Sequence, residues 1–162
     1  MTKALTSAIL KNIDKQEYEM PDGSAWQQDH ARIVEFFLDQ PKEDLETVAE
    51  VLYGLQNLQV RDYAMGIMRQ SDLTHKEALK TLIKYSSGKY QKPPKTLLAL
   101  WHWENGENTK AQQSLLKIKK YNLADLLTRT MAAGWPSQEF QTMRQELHPK
   151  VCVNIFGEKV DA

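Results

Sequence analysis

Between Pro93 and Pro136 the chain has room for three helices and little else. Pro93-Pro94 starts the first, because proline in a first helical turn lacks only a donor that has no partner there. Leu97, Leu98, Leu100 and Trp101 follow at helical spacing, and Asn105-Gly106 supplies the left-handed residue that ends a helix. The second helix is read from Asn108 to Lys120, with Ala111, Leu115, Leu116 and Ile118 apolar. Lys117, Lys119 and Lys120 gather in its last turn, where a cation suits the macrodipole. Asn122 caps a third, running to Ala133, and Gly134 stops it. Links this short make successive helices double back as hairpins, and none buries its apolar stripe alone. The pattern predicts an all-α fold of about nine helices packed as antiparallel hairpins, tetratricopeptide-like around residues 93–133.

The remaining segments fit that frame. Thr2–Ile13 reads as a helix with Leu5, Ala8, Ile9 and Ile13 inward; Lys15 to Gly23 reads as a polar linker ending in the turn Pro21-Asp22-Gly23. Three further helices are expected from Ser24 to Asp39, up to Asn57, and from Gln59 to Arg69. A fifth begins at the capping box Thr74-His75-Lys76-Glu77. Trp135-Pro136-Ser137 opens the ninth, which is expected to reach Leu147 and to close at Pro149. Val151 to Phe156 alternates β-formers and is read as coil packed on the helices, or as a strand that pairs two chains. The expected organisation is an N-terminal helix and linker (1–23), a helical-hairpin domain (24–150) and a C-terminal tail (151–162).

Charge is balanced over the whole chain, 21 basic against 21 acidic groups, but unevenly placed. Residues 1–72 carry 7 basic and 13 acidic groups, whereas residues 73–120 carry 10 lysines and three glutamates. Opposite halves favour docking within the chain, head-to-tail association or an anionic partner. Lys76, Lys80 and Lys84 recur every fourth residue, and with Lys89, Lys92 and Lys95 they form a basic band interleaved by Tyr85 and Tyr90. Such a band suits a phosphate backbone. Arginine, the usual base reader, is absent from residues 70–128, and a solvated helix face is the simpler reading.

Chemistry-bearing motifs are missing. There is no glycine-rich phosphate cradle, nucleophile elbow or metalloprotease signature, and the four histidines are scattered singly. His30 falls on an apolar face and reads as a core imidazole; Glu46 and Glu50 read as solvated. Of the indoles flanking His102, one is expected to point outward, which makes Trp103 a candidate contact residue. Cys152 is the only cysteine and has no second ligand at zinc spacing; it reads as a small buried hydrophobe in a reducing compartment. No catalytic, cofactor-binding or metal residue is assigned, and no apolar run reaches the length of a membrane span.

One resemblance accompanies these readings. LQNLQVRDYA (Leu55 to Ala64), PPKTLLALWHWENGENTKAQQSLLKI and YNLADLLTRTMAAGWP together resemble the C-terminal helical half of an actinobacterial family, domain of unknown function 4192. The shared features are Val60-Arg61-Asp62, the Leu-Leu-Ala-x-Trp helix before Gly106, and the ending Ala133 to Pro136, across residues 45–148. The chain departs from that pattern in lacking a longer N-terminal half and in its lysine-rich segments. The resemblance implies a helical fold and carries no activity.

The resulting expectation is a cytoplasmic, non-enzymatic binding or scaffold module. A protein or peptide partner would be received by Tyr85, Tyr90 and Trp103 and the nearby lysines, and a homodimer is compatible with the opposed charges. The alternative is a nucleic-acid-associated accessory protein using Lys76, Lys80, Lys84, Lys89, Lys92 and Lys95.

Overall fold

The computed structural model describes residues 2–13 and 19–157. Among them are nine α-helices and no strand, the all-α architecture expected: α1 (Thr2–Ile13), α2 (Ala25–Asp39), α3 (Leu45–Gly54), α4 (Leu58–Ile67), α5 (Leu73–Lys84), α6 (Lys92–Glu104), α7 (Asn108–Leu116), α8 (Asn122–Ala132) and α9 (Ser137–Phe156). A single 3-10 turn, Gly88–Gln91, feeds α6. Residues 15–18 of the expected linker and 158–162 of the expected tail lie outside the described residues.

The helix α6 is the axis of the molecule. Its sequence is apolar on nearly every side, so it is buried between α5, α7, α8 and α9 rather than presenting one stripe. Trp101 and Trp103 are both in the core, at 4% exposure each, which corrects the expectation that one indole faces outward. Trp103 packs on Phe140 of α9 with ring centres 5.7 Å apart, and the Lys76 ammonium sits 5.1 Å from the Trp101 ring centre.

Some helix starts lie one or two residues from where they were read. Asp72, not Thr74, caps α5, accepting from the Thr74 and His75 amides at 2.9 and 3.2 Å. Ser24 caps α2 after the turn at Gly23, whose φ of 81° requires the left-handed region. Tyr121, not Asn122, occupies the cap position of α8. On α1 the buried side is Thr6 and Leu10, flanked by Ile9 and Ile13, while Leu5 is 54% exposed. The apolar count had favoured a stripe through Leu5; packing against α3 selects the one through Thr6 instead.

The largest departure is at the end of the chain. Pro149 lies inside α9, which continues to Phe156 and stops at Gly157 with φ of 77°. Proline removes one backbone hydrogen bond, a cost of roughly 3 kcal/mol in a helix interior. Burial of Val151, Cys152 and Ile155 against Ala31 and Tyr63 offsets it. Val151 to Phe156 is therefore helix, neither coil nor strand, and the boundary expected at residue 150 falls within a continuous element.

The axis and α9 are joined by a buried ion pair. Arg144 donates from Nε and Nη2 to the two carboxylate oxygens of Glu104, each at 2.7 Å, and from Nη1 to the Met65 carbonyl at 2.7 Å. Both side chains are fully buried. Removing one partner of such a pair leaves an uncompensated charge in the core. Arg144→Met is expected to lower unfolding free energy by about 3–5 kcal/mol, while the double change Arg144→Met with Glu104→Leu recovers most of that loss. Urea denaturation of the three variants checks both outcomes.

Candidate functional site

Helices α2, α4 and α9 meet along a seam of polar side chains. Tyr63 on α4 donates its hydroxyl to Glu35 Oε1 on α2 at 2.8 Å. Burial and the adjoining Glu35 carboxylate raise the phenol pKa, so Tyr63 stays protonated. One turn apart on α9, His148 Nε2 and Cys152 Sγ lie 3.5 Å from each other, and the Tyr63 and His148 rings are 5.3 Å apart. Burial lowers the His148 pKa; Glu35 opposes this and Arg144 adds to it, so the imidazole is held neutral. Cys152 itself is sealed from solvent. The two hydrogen-bonded pairs lie beside an open groove of ≈ 650 Å³ lined by residues that include Glu35, Gln70, Gln141, Gln145 and His148, whose Nδ1 is buried without a hydrogen-bond partner. Among the described residues no group of three or more histidine, cysteine, aspartate or glutamate side chains is arranged to hold a metal ion.

His148 was read only as an isolated histidine, and its i, i+4 partnership with Cys152 was hidden by taking Pro149 as a helix end. Gly66, read as a weak point in α4, has a packing role. A Cβ there would overlap His148 Nδ1 and lie 2.8 Å from its Cγ.

A second groove, of ≈ 810 Å³, runs between α2 and α3. Ile33, Phe36, Phe37 and Pro41 give it an apolar floor, with Arg32, Lys42 and Glu50 among its other lining residues. Phe36 is 64% exposed. Sequence reasoning passed over it because Phe37, its neighbour, carries the core side of α2.

The residues expected to receive a partner are mostly turned inward. Trp103 and Tyr85 are buried in the main core, and Tyr90 is half-buried against it, so these rings do not form a free aromatic surface. The lysines do reach the surface, but several already have partners. Lys80 is 3.9 Å from Glu77 and Lys84 is 3.3 Å from Glu43, while Lys89 lies over the Tyr90 ring. Lys92 begins α6 and is half-buried. Lys95 has its pKa lowered by burial and then by the neighbouring charges of Lys3 and Lys117, which marks a positive spot joining α1, α6 and α7. His30 stacks on Trp26 at 4.1 Å and bonds the Trp26 carbonyl, a structural role as read.

Gly66→Ala is expected to cost about 1–3 kcal/mol, since the overlap includes ring atoms that cannot swing away freely. Adding His148→Ala should return part of it; thermal melts of the single and double variants measure the coupling.

No curated protein and no solved structure matches this sequence. A family model does match, over residues 1–138 of the 162, a longer and more N-terminal span than the segments that carried the resemblance. No helix among the described residues is long and apolar enough to cross a membrane. On that match the chain belongs to the family described as Domain of unknown function (DUF4192).

Proposed function

We propose that this chain is a helical protein-binding module, and that the α2–α3 groove holds a segment of its partner. The observation that supports this reading is Phe36, a large aromatic side chain 64% exposed on the floor of a groove of ≈ 810 Å³. Apolar surface gathered in a concavity and edged by charged groups is the usual form of a recognition groove. A helix or extended peptide would place an apolar side chain against Phe36, Ile33 and Pro41, with Arg32, Lys42 and Glu50 setting its orientation. The α6–α7 hairpin and the adjoining α8 support a tetratricopeptide-like description of the C-terminal half. A lone buried thiol suits a reducing compartment, and the reading places the protein in the cytoplasm. Affinity capture from the native host with the wild-type chain and with Phe36→Asp tests the groove. Partners held there are lost with the variant while its melting temperature stays unchanged; recovery of the same partners by both baits rejects the reading.

A second reading, a nucleic-acid accessory role, is favoured by the crowding of Lys95 with Lys3 and Lys117. It requires retention on single-stranded RNA or DNA that falls steeply with salt and is weakened by Lys95→Glu with Lys117→Glu. Retention that ignores salt or these reversals removes it.

A further inference from the structure

Helix α9 is one element seated in two places. In its first half, Phe140 belongs to the main core and Arg144 to the buried pair with Glu104. In its last turns, Val151, Cys152 and Ile155 join a separate small cluster with Ala31 of α2 and Tyr63 of α4. Phe156 adds an edge-on contact to Tyr63, ring centres 5.8 Å apart, and the Arg32 guanidinium stands 5.0 Å from the Phe156 ring centre. Pro149 lies between the two halves. It has no N–H to give the Gln145 carbonyl, so the helix is weakest at the turn that joins them.

His148 occupies that same turn, in a seat that does not suit a charge. Its Nδ1 is buried against Gly66 with no hydrogen-bond partner, and its Nε2 faces the Cys152 thiol at 3.5 Å. A neutral ring carries one N–H and an imidazolium carries two. The seat offers the second N–H a thiol on one side and a glycine on the other. The charged groups around it are engaged elsewhere. From α2, Glu35 accepts the Tyr63 hydroxyl and Arg32 is drawn to Phe156. From α4, Arg69 pairs with Asp39 and Asp72, and Tyr63 keeps its proton. From α6, Glu104 is taken by Arg144. Burial outweighs the attraction of Glu35, and the Arg144 charge adds to its effect.

We propose that His148 and Pro149 form an acid-sensitive latch: a proton on the imidazole releases the Val151–Phe156 end of α9 from α2 and α4, with the first half of the helix left in place. Released, the ring reaches water and ionises near its ordinary 6.5; seated, burial keeps its pKa below that. The released form therefore binds more protons, and it is favoured progressively as the pH falls below about 6.5. Its departure uncovers Ala31 and Tyr63, which the end of α9 otherwise covers.

Hydrogen–deuterium exchange on the full chain, read residue by residue and corrected for the intrinsic effect of pH, tests the latch. Between about pH 7.5 and about pH 5.5 ordinary carboxylates stay ionised while histidines titrate. Over that range amides 151–156 are expected to lose at least about threefold in protection, and amides 141–146 to keep theirs. His148→Gln has nothing to titrate there and should abolish the dependence, whatever it does to protection itself; His30, His75 and His102 remain in that variant as controls. Pro149→Ala restores the missing bond and should raise protection of 151–156 at both pH values. Equal protection of the wild-type end at the two pH values overturns the proposal, as does a loss spread evenly along α9. So does a dependence that survives His148→Gln, or a Pro149→Ala chain whose end is no better protected.

Discussion

The fold depends on the guanidinium of Arg144 reaching Glu104 across the middle of the molecule. Desolvating two charges is costly, and the pair is tolerated because its geometry is two-pronged and the Met65 carbonyl accepts from a third guanidinium donor. That requirement fixes the depth and rotation of α9 against α4 and α6. The packing energy of α9 itself comes from Phe140, Val151, Cys152 and Ile155, which are buried although the helix has little regular apolar patterning. Once α9 is seated, Phe140 covers Trp103, and Val151, Cys152 and Ile155 close the far side over Tyr63.

Much of the architecture was legible in the chain. Prolines at the head of α6, glycines after α6 and α8, and leucines at helical spacing sufficed for the number and order of helices. What could not be read was rotation. Thr6 lies in the core and Leu5 does not, because the choice between two adjacent stripes is made by the neighbouring helix. Pro149 carried a strong local stop signal that long-range burial overrode. The same kind of error hid the polar seam, since Glu35, Tyr63 and His148 come from three helices and have no shared spacing to reveal them. The aromatic residues singled out for a partner failed for a related reason. Tyr85 and Trp103 looked available because local spacing counts apolar positions but not how many helices surround them.

Charge was legible as an amount and not as an arrangement. The lysine-rich middle of the chain is partly answered by its own acidic half, as Lys84 with Glu43 shows. Lysines crowd around Lys3, Lys95 and Lys117, and Glu139 and Glu146 lie on the outer side of α9. Large apolar side chains are left exposed on several helices, among them Phe36, Leu58, Leu73 and Leu116. Such places are leftovers of packing, residues that the core had no room to take.

The continuity of α9 bears on where this domain stops. The family match ends at residue 138, in the first turn of α9, yet that helix supplies the counter-ion of a buried carboxylate. A chain severed at the family border would strand Glu104 as a naked anion in the interior and uncap the floor beneath Tyr63. The cooperative unit therefore outruns the stretch by which its relatives are recognised, and the final eighteen helical residues belong to the domain's own foundations.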